Sequence, residues 1–212
     1  MSYVDLINTT GDIRLNGWIA MYPTLFEPRR VGRRGRETGE PRFSLKAICP
    51  VPLPQDDWAK LQHAQQEAIN YLWKGNPPPD LADPWGDAKT VEPSLAGHFM
   101  ITANSPANRP PEVFNAHNER MTLEHQAQIF SGCIVHAHLR IFAYNRGGQG
   151  VSAALQGIML VDSINVKRLD GRVASTSVFG IQEGFPAATA PAPGAAPLPN
   201  AGAPGPDLSL LG

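Results

Sequence analysis

Residues 130–145 read FSGCIVHAHLRIFAYN, residues 146–149 RGGQ, and residues 150–162 GVSAALQGIMLVD. In the first segment Cys133, Val135, Ala137, Leu139 and Ile141 occupy alternate positions, with Ile134, His136, His138, Arg140, Phe142 and Tyr144 between them. Successive side chains of a β-strand point to opposite faces. A period of two therefore predicts one face packed inward and one turned to solvent or a ligand. The last segment keeps that period, and GGQG at 147–150 supplies the glycines a hairpin turn wants. The whole reads as a long antiparallel hairpin, and it makes the fold mainly β.

Three shorter stretches alternate in the same way. IRLNGWIA (13–20) separates Ile13, Leu15 and Ile19 from Arg14, Asn16 and Trp18. RFSLKAIC (42–49) separates Phe43, Leu45, Ala47 and Cys49 from Arg42, Ser44 and Lys46. GHFMITAN (97–104) separates Phe99, Ile101 and Ala103 from His98, Met100 and Thr102. One helix is expected over 57–74, with Asp56 as its N-cap. Trp58, Leu61, Ala68, Ile69 and Leu72 recur there at helical spacing, and Gly75 and Pro77–Pro79 stop it. Segments 76–96 and 104–128 are too rich in proline and polar residues to predict regular elements.

Five antiparallel strands, one main α-helix and long loops predict an OB-like barrel over residues 1–184. In the usual OB order the helix follows the third strand, whereas here it follows the second. Residues 185–212 read FPAATAPAPGAAPLPNAGAPGPDLSLLG, with seven prolines and a single charge, Asp207. Such a composition buries too little apolar surface to offset the entropy of ordering, so a disordered tail is expected.

Charge is unevenly placed. The chain carries −1 overall, yet residues 28–42, PRRVGRRGRETGEPR, hold six arginines against two glutamates. That loop sums to +4 and leaves −5 on the remainder. A local basic patch concentrates polyanions, nucleic acid above all; the alternative is a solvated loop with no partner. Loops joining strands 1–2 and 4–5 of an OB barrel grip oligonucleotides. Here they carry Arg29, Arg30, Arg33, Arg34, Arg36 and Arg42 on one side and Arg146 on the other. Between them, His136, His138, Arg140, Phe142 and Tyr144 share the outward face of the long strand, while Arg14, Trp18 and Lys46 fall on outward phases of their own strands. Aromatic rings stack bases at about 1–3 kcal/mol each, and cations follow the phosphates. This pattern suits an unpaired strand. Against it stands a packing role for Trp18 and Phe142 in a second core. Tyr22 and Phe26, just before the arginines, either stack bases or anchor the loop.

Other chemistry has weaker support. Cys133 points away from His136 and His138, and two histidines without a third ligand fall short of a structural zinc site. No metal or cofactor is expected. Asp80, Asp83, Asp87 and Glu92 could serve a Mg²⁺-dependent nuclease, although a solvated acidic turn explains them too. No phosphate-binding loop or nucleophile motif is present. Cys49 and Cys133 lie in apolar strands and read as buried free thiols. MSYVDLINTTGDIR at the start lacks an apolar run, and no stretch reaches a membrane span, which fits a cytosolic protein.

The series NGWIAMYPTLFEPR (16–29), RFSLKAICP (42–50), GHFMITANSPANRPPEV (97–113) and the 130–162 hairpin resembles a family of bacteriophage single-stranded-DNA-binding proteins. These are compact OB-fold proteins once catalogued as a domain of unknown function. The resemblance spans about residues 10–182. It implies sequence-tolerant single-stranded-DNA binding in phage replication or recombination, in the cytoplasm of an infected bacterium and without enzymatic activity. It also implies replication or recombination proteins as partners through the tail. Such proteins often end in an acidic tail, and the lone Asp207 departs from that pattern. The competing readings are a Mg²⁺-dependent phage nuclease or recombination enzyme and an adaptor that binds no nucleic acid.

Overall fold

The computed structural model describes residues 2–9, 11–30, 39–164 and 166–170. The boundary at 184/185, the tail, and Arg33, Arg34 and Arg36 lie outside the described residues. The elements run β1 (Val4–Leu6), β2 (Asp12–Arg29), β3 (Arg42–Ile48), α1 (Gln55–Trp73), β4 (Trp85–Asp87), β5 (Phe99–Pro106), β6 (Glu112–Phe114), β7 (Ile134–Tyr144) and β8 (Gly150–Asp162). Strands β2, β3, β5, β8 and β7 pair in that order and close back on β2. Four of these seams are antiparallel, and the β5–β8 seam is parallel. The row Thr24, Ser44, Asn104, Ala154, Arg140 re-enters β2 at Asp12, twelve residues upstream of its start. Strands so strongly staggered must tilt steeply, which is how five strands enclose a filled interior.

That interior is built from the alternation seen in the sequence. Leu45, Ala47, Ile101, Ala103, Val135, Leu139 and Ile141 are all buried. Cys49 and Cys133 lie among them as free thiols, and burial pushes the Cys133 thiol up to about 11. Helix α1 turns Leu61, Ala64, Ala68 and Ile69 inward and packs chiefly on β7 and β1. As expected, it joins the second and third barrel strands. Its N-terminus differs from expectation. Pro54 precedes the first turn, so Asp56 lies inside that turn and is not its cap. Asp57 is buried instead and accepts from Ser2 Oγ, the Tyr3 N–H and Lys60 Nζ, each at 2.8 Å. Both carboxylates sit where the helix dipole favours them.

Trp18 departs most from the sequence reading. It is fully buried, whereas simple alternation turns it outward. Leu15 pairs with Ala137 and Trp18 with Val135, so β2 carries one extra residue between them. Gly17 absorbs this bulge at φ 68°, a left-handed conformation open to glycine. Its N–H donates to His136 Nδ1 at 3.1 Å. Beyond the bulge the phase of β2 is reversed. The indole of Trp18 donates to the Tyr3 carbonyl at 2.8 Å and meets Phe99 edge-on at 6.4 Å. Phe99 also touches Trp58 of α1 and Trp85 of β4, so these rings tie helix, added strand and barrel together.

Regular structure also occurs where none was expected. β4 and β6 lie inside the proline-rich segments, paired on β5 and β8 respectively. β2 runs on to Arg29, well past the 13–20 segment. A smaller core of Met21, Ile48, Ala88 and Met100 sits outside the barrel under residues 88–95. Asp87 and Glu92 cap the 3-10 turns of that cover, accepting from the Lys89 and Ser94 N–H groups, and Asp83 accepts from Gln65.

Candidate nucleic-acid interface

The outward face of β7 keeps the order read from the sequence. His138, Arg140 and Phe142 are exposed, and His136 and Tyr144 are half-buried. Neighbouring strands extend this face into a wide surface. Lys46 pairs with Thr102, Ser44 with Asn104, and Arg42 with Pro106. Asn104 meets Ala154 across the parallel seam; Ala154 in turn pairs with Arg140, and Ser152 with Phe142. One wall of outward residues therefore joins Arg42 and Lys46 on β3 to Arg140 and Phe142 on β7. Ser44, Thr102, Asn104 and Ser152, all half-buried polar residues, form its middle and were not singled out in the sequence. Their outward phase on predicted strands was the available signal.

The cations on this surface are not equivalent. Arg140 is held by a carboxylate, with Nε and an Nη atom 2.8 Å from the two oxygens of Asp12. Arg14 is paired with Asp5 at 2.7 Å. Arg29, Arg30, Arg42, Lys46 and Arg146 make no ion pair with another described residue. Arg29 and Arg42 face each other in register at the base of the 30–41 connection. Arg146 stands in the β7–β8 turn, where Gly147 and Gly148 take positive φ. Lys46 is half-buried, and burial lowers its pKa below the usual lysine range.

Asp12 is only 4% exposed and also accepts from Asn8 Nδ2 at 2.7 Å. The hydrogen bonds from Arg140 hold its pKa below the usual carboxylate value despite burial. A depressed folded-state pKa contributes stability above the unfolded value of about 3.9, and that contribution is lost as pH falls through the lower folded value. Asp12→Asn should cost about 1.5–3 kcal/mol at neutral pH. The gap from wild type should shrink below about pH 4. Urea titrations of both chains from neutral pH to below the unfolded value of about 3.9 measure it; a gap constant with pH would place the charge elsewhere.

The remaining predicted residues separate. Trp18 is a core residue and leaves the site. Phe26 packs on the barrel core, whereas Tyr22 is 51% exposed and donates its hydroxyl to the Val91 carbonyl at 3.3 Å. Both line a cleft of about 660 Å³ with Arg29, Phe130 and Arg168. Tyr144 folds over its own hairpin, its hydroxyl 2.9 Å from where a Cβ on Gly150 would stand. His136 is committed to the Gly17 N–H, and His138 lies 3.7 Å from Asp12.

A family model described as "Enterobacter phage Enc34, ssDNA-binding protein" matches residues 8–187. The chain is 25% identical over 158 residues to the putative protein p50 of Acyrthosiphon pisum secondary endosymbiont phage 1, covering 69% of this chain and 80% of that protein. It superposes on the C-terminal truncation of the single-stranded DNA-binding protein from bacteriophage Enc34 with a TM-score of 0.63 and 18% identity, over 79% of this chain and 94% of that one. The same protein in complex with ssDNA gives 0.61 and 19%, over 76% and 96%. At these identities the structural likeness establishes a shared fold.

Proposed function

The chain belongs to the family of the Enterobacter phage Enc34 ssDNA-binding protein, and from that premise we propose that it is a single-stranded-DNA-binding protein of phage replication or recombination. The observation that carries the mechanism is the continuous outward wall from β3 to β7, with cations at both ends that pair with no described carboxylate and with Phe142 39% exposed upon it. Arg29, Arg30, Arg42 and Arg146 neutralise phosphates, and Lys46 offers a partly desolvated charge between them. Phe142 stacks a base. None of these contacts reads a base edge, so binding tolerates sequence.

The protein acts without catalysis, a reading supported by Asp83 accepting from Gln65 of α1 and by Asp87 and Glu92 accepting from N–H groups of their own loop. Its place of action is the cytoplasm of the infected host. Among the described residues no helix is long and apolar enough to cross a membrane. Residues 185–212, ending DLSLLG, supply the docking segment for a replication or recombination protein.

The test is a titration of labelled oligothymidylate, the matching RNA and a duplex at two ionic strengths. Unpaired DNA should bind tightest, and Phe142→Ala should weaken that binding by about 1–3 kcal/mol while leaving its salt dependence nearly intact. Equal affinity for paired and unpaired DNA would overturn the proposal.

A further inference from the structure

Beside β6 the outer surface holds a dent of about 460 Å³. Its cause is an absent side chain. One cross-strand row runs Arg14, His138, Gly157, Glu112 from β2 to β6. The adjacent row runs His136, Met159, Phe114. Gly157 leaves bare backbone as a floor between the imidazole of His138 and the carboxylate of Glu112. A Cβ there would stand 3.1 Å from the Glu112 carbonyl oxygen, a tight contact that would push β6 back by a few tenths of an ångström.

The groups around the floor differ in what they can still bind. Arg14 is paired with Asp5. His136 accepts from Gly17 at Nδ1, which leaves its proton on Nε2. Burial, and then the charge of Arg14, lower its pKa, so the ring is neutral at pH 7. The Glu112 side chain has no hydrogen-bond or ion-pair partner among the described residues. Phe114 offers a half-buried ring. An open carboxylate repels phosphate and accepts from N–H donors. Flat rings beside it favour a planar guest.

We propose that the dent receives one nucleobase of the bound single strand and prefers a base with an exocyclic amine over thymine. The amine donates to Glu112, as carboxylates accept from cytosine N4 elsewhere, and the ring lies against Phe114 and the histidines. Position supports this. His136, His138, Arg140 and Phe142 follow one another every second residue on one face, at about 7 Å per step. A strand stacked on Phe142 and running along β7 reaches the dent after about three such steps. This inference rests on the single-strand reading above and adds a base preference to it.

The experiment titrates the full chain with oligodeoxycytidylate and oligothymidylate of about 16 nucleotides, the upper end of what one OB fold covers. Wild type should bind the cytosine oligomer about tenfold tighter, and Glu112→Ala should abolish that ratio. Phe114→Ala should weaken cytosine binding about 5- to 100-fold. Phe114→Leu keeps an apolar residue on β6 and should weaken it too, which separates stacking from loss of structure. Tight wild-type binding with no cytosine preference, or a preference that survives Glu112→Ala, overturns this inference alone. If wild type binds neither oligomer, the single-strand reading falls with it.

Discussion

Replacing Arg29, Arg30, Arg42 and Arg146 together by alanine should flatten the plot of log K against log salt by about 3 units. Each phosphate neutralised on a single strand contributes about −0.7 to that slope, through release of condensed counterions. The four were chosen because none is compensated by a described carboxylate. The affinity lost is therefore greatest in dilute salt and shrinks as salt screens what remains. Arg14 and Arg140 are the contrast. Each already faces an aspartate at 2.7–2.8 Å, so removing either should change the slope by less than an unpaired arginine does. Fluorescence anisotropy over a salt series reads both outcomes. A slope unmoved by the fourfold substitution would place the strand away from these hairpins.

The second large effect is on stability. Trp18→Ala should cost about 3–5 kcal/mol, the usual range for deleting a large aromatic from a packed core. The ring is fully buried, and its loss removes one of the two edge-on partners of Phe99, leaving Trp58. The Tyr3 carbonyl would keep one donor, the Asn16 N–H at 2.9 Å, so the penalty is mainly cavity and lost burial. Guanidinium unfolding of the full chain measures it. A loss below about 1 kcal/mol, typical of surface positions, would return Trp18 to the outer face. Where the variant stays folded, its salt slope should match wild type.

These two residue sets also show how far the sequence could be read. The arginine cluster is legible from composition, and the phases of β3, β5 and β7 from simple alternation; in β8 the buried set passes from Val151, Ala153 and Leu155 to Ile158 and Leu160 across an extra residue opposite His138 and Leu139, so the single period read over 150–162 breaks there. Trp18 was misplaced because nothing in IRLNGWIA interrupts the period; the bulge at Gly17 exists only through pairing with β7. β4 and β6 are three-residue strands, too short for a periodic signal, and their partners on β5 and β8 define them. The quenching of Arg140 was equally hidden, since Asp12 lies 128 residues away in the chain. Alternation tells which way a side chain points; which charges remain free depends on contacts made only in three dimensions.

The parallel seam between β5 and β8 has a consequence for synthesis on the ribosome. No tight turn can join parallel neighbours, and here the two partners are separated by β6 and β7. A nascent chain that has emerged only as far as β7 offers β7 and the end of β5 beyond its pairing with β4 as unsatisfied edges, the kind of template that invites pairing with other chains. Only the arrival of β8, the final barrel strand, seals both at once.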